Sequence, residues 1–233
     1  MTEKTTDTGR AAILYDGALL DHADDALFTP PASAASAPSV IGGRGSAWIV
    51  ARPDGEWVLR HYRRGGLPGR FIRDLYLWTG LEATRPWREW RLLHSLYKEG
   101  LPVPQPLAAR VARAGPFYRG DLVTRRIAGA RSLAELLRGD GRDIPWRDVG
   151  ACLRRFHDAG VWHADLNAHN LLIDTAGCVH LIDFDRGERR APAPAWQLAN
   201  LRRLARSLGK LAGNGAGAPP AWGDLLDGYG ASR

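Results

Sequence analysis

Two short apolar runs in the second half of the chain, Leu171-Leu172-Ile173 and Val179 to Ile182, flank the polar tetrapeptide Asp174-Thr175-Ala176-Gly177. Runs of this length around a glycine-bearing turn predict a tight β-hairpin. Upstream, Pro145 to Ala159 carries Val149, Leu153 and Phe156 on one helical face. Ser132 stands three residues before Glu135, a capping box that starts a helix over Leu133 to Arg138. Arg85 to Glu99 reads as another helix, with Trp90, Leu93 and Tyr97 three and four apart and a proline near its start. The segment Gly100 to Pro106, GLPVPQP, stops it. Around that helix the period shortens to that of strands. Ser39 to Leu59 predicts strands turned by Gly42 to Ser46 and by Pro53-Asp54-Gly55, the last strand running from Trp57 to Tyr62. Leu107 to Val111 and Tyr118 to Ile127 predict two more about Gly115-Pro116. Near the end, Trp196 to Leu211 aligns Leu201, Leu204, Leu208 and Leu211 on an apolar stripe and Arg202, Arg206 and Lys210 on a second face, expected to meet water. Strands gathered early and helices gathered late predict an α+β fold.

The remaining segments lack such periods. Residues 1 to 12 read as disordered, Ile13 to Phe28 as a weakly structured leader, and Thr29 to Ser39, TPPASAASAPS, as an exposed connector. The chain is expected to divide into a leader and connector over 1–38, an N-terminal lobe over 39–128 and a C-terminal lobe over 129–233. A chain of 233 residues with 45% hydrophobic content can bury a core of that size. No apolar run approaches the roughly 18 residues of a membrane span, and the first ten residues have no hydrophobic signal region, so the protein is expected in the cytosol. Cys152 and Cys178 fall in a predicted helix and strand and are expected to be reduced, buried and inert. The net charge of +7, dominated by arginine, points to an anionic partner: a phosphorylated acceptor, an anionic membrane surface or nucleic acid. Nucleic acid is the weakest of these, because no RNA-recognition motif is present.

The hairpin carries the chemistry. Asn170 immediately precedes its first strand and Asp183 follows its second, so pairing the strands gathers an amide oxygen and a carboxylate as hard ligands for Mg²⁺. Asp165, five residues before Asn170, is then placed to orient an acceptor hydroxyl and take its proton. His163-Ala164-Asp165-Leu166 with Asn170 fits H-x-D-L-x-x-x-N, and Asp183-Phe184-Asp185 fits D-F-G with the glycine replaced. The spacing is like that of the catalytic and metal loops of a protein-kinase-like phosphotransferase, for which ATP is the expected phosphate donor. By order along the chain, Gly43, Gly45 and Ser46 become the lid over the ATP phosphates. Arg60 takes the place of the strand lysine, and Glu89 that of its helical partner. The expected architecture is a reduced two-lobed protein-kinase-like fold, with a small β-rich N-lobe, a helical C-lobe and a cleft between. A non-catalytic pseudokinase is the rival that Arg60 and Asp185 leave open. His157, His163 and His169, six apart, share no helical face and do not read as a zinc site.

Longer strings are more specific. RHYRRGG (Arg60 to Gly66), DLYLWTGL (Asp74 to Leu81), GLPVP (Gly100 to Pro104), FHDAGVWHADLNAHNLL (Phe156 to Leu172) and LIDFDRG (Leu181 to Gly187) resemble the 3-deoxy-D-manno-octulosonic acid (Kdo) kinase family of Gram-negative bacteria, over about Gly42 to Lys210. That resemblance implies ATP-dependent phosphorylation of the 4-hydroxyl of Kdo on a lipid A precursor, with Asp165 as the active-site residue. It also implies a lipid-linked anionic sugar as acceptor and a peripheral place at the cytoplasmic face of the inner membrane. The residues alone equally admit a core heptose or a small-molecule hydroxyl as acceptor. The basic groups of 60–73 and 186–210 are the candidates for holding it.

Overall fold

In the computed structural model, the described residues are 2–9, 11–30, 46–63, 74–139, 144–213 and 221–230. They fall into two compact units, Met1–Glu99 with Pro104–Arg126, and Gly100–Val103 with Ile127–Arg233. Gly43 and Gly45 lie outside the described residues, as do Arg64, Arg70, Phe71 and Arg73.

The first unit is built from strands β1 (Glu3–Asp7), β2 (Ala12–Asp16), β3 (Ser46–Arg52), β4 (Gly55–His61) and β5 (Tyr76–Leu77), helix α1 (Arg85–Lys98), and strands β6 (Pro106–Ala114) and β7 (Phe117–Arg125). All seven strands join one antiparallel sheet in the order β1-β2-β6-β7-β4-β3, with β5 also on β7. Alternation along β4 explains its two faces: Trp57 and Leu59 are buried, while Val58 and Arg60 point the opposite way. The Trp57 face packs with Ile13, Tyr15, Phe28, Leu107 and Val123. Helix α1 covers the Arg60 face, burying Trp87, Trp90, Leu93 and Leu96 in a stripe three residues apart. The stripe ends on Leu96; Tyr97, expected in it, is exposed.

Here the structure corrects the expected leader. Residues 3–7 and 12–16 are strands, and β2 pairs with β6 from Ala12 opposite Val111 to Tyr15 opposite Ala108. Ile13 and Leu14 are fully buried. The segment after β2 folds back as a 3-10 turn, Asp25–Phe28, whose Phe28 completes the Trp57 cluster. Arg110 of β6 ties it down, donating to Asp25 Oδ1 (3.0 Å) and to Asp121 Oδ2 (2.9 Å) and lying over the Phe28 ring. A five-residue apolar run, Ala11 to Tyr15, paired with a strand far along the chain shows no local signal.

The second unit holds β8 (Arg131–Ser132), α2 (Leu133–Arg138), α3 (Trp146–Asp158), β9 (Val161–Trp162), β10 (Leu171–Ile173), β11 (Val179–Leu181), β12 (Glu188–Arg189), α4 (Pro194–Leu211) and α5 (Trp222–Tyr229). The capping box forms as expected: Ser132 Oγ accepts from the Glu135 amide and the Glu135 carboxylate accepts from the Ser132 amide. Strands β10 and β11 form the expected hairpin, Leu171 opposite Leu181 and Ile173 opposite Val179, and β8 pairs on the far side of β10. The turn runs to Cys178, because Asp174 Oδ1 accepts from the amides of both Ala176 and Cys178. Cys178 is therefore exposed, against expectation, whereas Cys152 is buried and its thiol is pushed up to about 12 by desolvation.

Helix α3 buries Val149, Leu153 and Phe156. It meets α5 backbone to backbone: a β-carbon on Gly150 would fall 1.9 Å from the Leu225 carbonyl, and one on Gly228 1.9 Å from that of Arg147. This approach seats His157 against α5. Its Nδ1 lies 2.8 Å from the Tyr229 hydroxyl, and the ring meets Trp196 and Tyr229 edge-on. Burial pushes the imidazole pKa from its usual 6.5 down to about 4. The unfolded chain therefore takes up a proton that the folded one refuses. The stabilisation is full above about pH 6.5 and is lost as the pH falls towards 4, by roughly 3 kcal/mol. Urea unfolding from pH 7.5 to 4 should show this loss, and His157→Gln should flatten the profile by about that amount; an unchanged pH slope in the variant would assign it elsewhere.

Candidate active site

Helix α3 ends at Asp158, and the chain turns through Gly160, at φ 70°, into β9 and the loop His163 to Asn170. The loop is fixed from three sides. Buried Asn200 of α4 reads the backbone of His163, its Oδ1 accepting from the His163 amide (3.2 Å) and its Nδ2 donating to the His163 carbonyl (3.0 Å). The His163 ring is buried with its edge on Phe184. Its Nε2 is 3.0 Å from the Ile182 carbonyl, and its Nδ1 3.1 Å from the Asp165 amide. A carbonyl only accepts and an amide only donates, so these contacts select the neutral tautomer protonated on Nε2. Desolvation holds it there by lowering the pKa. One imidazole thus links the loop to the strand end that leads into Asp183.

The Asp165 carbonyl accepts two side-chain amides, Asn167 Nδ2 (3.0 Å) and Asn170 Nδ2 (2.9 Å). With its nitrogen committed there, Asn170 keeps its amide oxygen for another partner. The Ile182 amide donates to the Asn170 carbonyl at 3.0 Å, so Asp183 follows directly on a residue bonded to Asn170. Asp183 adopts φ 63°, a left-handed conformation uncommon outside glycine. Phe184, fully buried on His163 and Phe156, anchors the turn from behind. The three residues singled out in this half of the sequence, Asp165, Asn170 and Asp183, are thereby brought into one constellation.

Asp165 has a further partner that sequence patterning missed. Arg203 of α4 donates through Nε (3.0 Å) and Nη2 to Asp165 Oδ1. Ser207 Oγ accepts from the Ala168 amide at 3.2 Å. Asn200, Arg203 and Ser207 are spaced i, i+3, i+7, so a single polar face of α4 clasps the loop at residues 163, 165 and 168. The visible signal was the basic row Arg202, Arg206 and Lys210; the residues that hold the loop, Arg203 and Ser207, each follow a member of that row by one position.

In the first unit, Ser46 opens β3 opposite His61. Arg60 of β4 pairs through Nη2 with Glu89 of α1, which is buried to 3% exposure, and the Tyr62 hydroxyl donates to the same carboxylate oxygen. Arg60 also stacks over the Tyr62 ring at 4.8 Å. The strand cation and helical carboxylate suggested by chain order are therefore partners.

Residues 37–229 match the model of the lipopolysaccharide kinase (Kdo/WaaP) family. The chain belongs to this family. Among similar members is the 3-deoxy-D-manno-octulosonic acid kinase of Xanthomonas campestris pv. campestris strain B100, 51% identical over 207 residues, which cover 88% of this chain and 83% of the relative. The enzyme of the same description from Stenotrophomonas maltophilia strain R551-3 is 50% identical over 206 residues, with the same two coverages. A solved structure of WaaP in complex with acyl carrier protein superposes with a TM-score of 0.56 at 17% identity, over 81% of this chain and 76% of that one. This likeness bears on the fold alone, and with the sheet-rich first unit and the helical second it gives this Kdo/WaaP kinase family member the α+β, protein-kinase-like architecture expected from its sequence.

Proposed function

We propose that this kinase transfers phosphate from ATP to the 4-hydroxyl of Kdo on a Kdo-bearing lipid A precursor, in lipopolysaccharide biosynthesis. The observation that carries the reading is the fixing of Asp165, by two asparagine amides on its carbonyl and one arginine on its carboxylate, within a chain half identical to Kdo kinases. Phosphoryl transfer asks a protein mainly to position groups and neutralise charge. Asp165 Oδ1 is occupied by Arg203, and Oδ2 serves to orient the acceptor hydroxyl and take its proton.

The donor set suits Mg²⁺: the Asn170 amide oxygen and the Asp183 carboxylate are both hard oxygens, on adjoining ends of one hairpin. When bound, Mg·ATP supplies an activated phosphoryl group whose charge is partly neutralised. Arg60, oriented by Glu89 and Tyr62, would hold the α- and β-phosphates, with Gly43, Gly45 and Ser46 as the further candidate phosphate contacts. A planar guanidinium suits that grip, and the buried carboxylate fixes its aim. Among the described residues no helix is long and apolar enough to cross a membrane, and a net charge of +7 favours peripheral binding to the anionic cytoplasmic face of the inner membrane.

Mass spectrometry of a Kdo-lipid A precursor incubated with the protein and Mg·ATP should show one added phosphate, placed by fragmentation on the 4-position of Kdo. Phosphate found on another sugar, or ATP consumed with no gain by the lipid, would reject this acceptor.

A further inference from the structure

Helix α4 has four cations, Arg202, Arg203, Arg206 and Lys210, and no carboxylate in its eighteen residues. Pairing along the helix, the usual fate of such a row, is therefore impossible. Arg203, Arg206, Ser207 and Lys210 are spaced i, i+3, i+4, i+7 and share one face. With Asp165 and His169 they line an open recess of about 450 Å³, within the roughly 300–1,000 Å³ typical of small-molecule sites. Its one carboxylate, Asp165, is held by Arg203. Arg206 and Lys210 are exposed, and among the described residues no carboxylate forms an ion pair with either. The recess thus carries uncompensated positive charge directly beside the group that faces the acceptor hydroxyl.

We infer that this recess is the acceptor's anion subsite, with Arg206 and Lys210 binding an anionic group carried close to the phosphorylated hydroxyl. This rests on the kinase reading above and adds to it which residues select the acceptor. The shared chemistry is an oxyanion on the acceptor, which the sugar carboxylate or a lipid phosphate can supply. Reach favours the carboxylate: the recess borders Asp165 itself, so its occupant belongs to the same sugar as the reacting hydroxyl or to the next one. A helix C-terminus by itself favours a lysine near its end, but that effect concerns only Lys210 and does not account for Arg206 in the same recess.

The test is Arg206→Gln with Lys210→Gln, two exposed substitutions, assayed by steady-state kinetics and by calorimetric binding of the detergent-dispersed acceptor. The double variant should raise the Michaelis constant for the Kdo-lipid A precursor about 10- to 100-fold, the worth of one or two charge-assisted hydrogen bonds. The constant for ATP should move less than about twofold. A precursor with its Kdo carboxylate masked as a methyl ester should bind the unmodified protein as weakly as the free acid binds the double variant, and the two losses should not add. If removing the lipid phosphates reproduces the loss and esterification does not, the anion is phosphate and the carboxylate assignment falls. Equal acceptor binding by parent and variant overturns the subsite whatever the activity. Acceptor binding that depends on Arg206 and Lys210 without phosphate transfer keeps the subsite and rejects the kinase reading instead. A parent protein that neither binds nor phosphorylates the acceptor overturns both.

Discussion

Replacing Asp165 by Asn should lower kcat for acceptor phosphorylation by about 10²- to 10⁴-fold, the usual contribution of a positioned general base, while the Michaelis constant for ATP changes little. The substitution isolates the proton-accepting role. An asparagine oxygen still accepts from Arg203, and the backbone carbonyl at 165 still holds Asn167 and Asn170, so the loop keeps its shape. The side chain is about half exposed and its ion pair lies at the surface. Such a pair is worth at most about 1 kcal/mol, so the melting temperature should shift by no more than about 2–4 °C for a chain of this size. Turnover with purified acceptor, read beside thermal unfolding, separates the effects. A well-folded variant within about tenfold of the parent would reduce Asp165 to a surface ion-pair partner of Arg203 and assign the proton-accepting role to another group.

The constellation was legible in the sequence because it is local. Asp165, Asn170 and Asp183 lie within nineteen positions joined by one hairpin, and the two apolar runs and glycine turn that build the hairpin carry their own signal. Helices α2 and α3 were legible for the same reason, through a capping box and a 3.6-residue period. Pairings across long separations were not. Ile13 and Leu14 pair through β2 with a strand near position 110, and the apolar run that contains them is too short to show a period. Arg203 was hidden differently: on a helix with four cations, charge pattern alone cannot tell which of them turns inward, and only the clasp of Asn200 and Ser207 on the loop sets the rotation. Arg60 and Glu89 were matched by chain order, and their contact follows from α1 lying over the face of β4 that Arg60 occupies.

Asp183 offers the second large effect, because its backbone and its side chain make opposite demands. At φ 63° an aspartate carries left-handed strain of about 1–2 kcal/mol that a glycine would not. A residue kept in that state is held for its side chain. Asp183→Asn tolerates the same backbone and removes only the charge. It should lower kcat/KM by about 10²- to 10³-fold, equivalent to a few kcal/mol of lost metal-mediated charge stabilisation, and raise the Mg²⁺ concentration needed for half-maximal rate. Asp183→Gly should be at least as poor a catalyst. It should nonetheless unfold at a denaturant concentration no lower than the parent's, since relief of the strain offsets the roughly 0.5–1 kcal/mol of added chain entropy. Magnesium titrations of activity and urea unfolding of both variants read these separately. Loss of activity with stability retained is the signature of a strained position whose side chain serves as a ligand; an asparagine variant with unaltered Mg²⁺ dependence would move the metal away from Asp183, and a destabilised glycine variant would make the side chain structural.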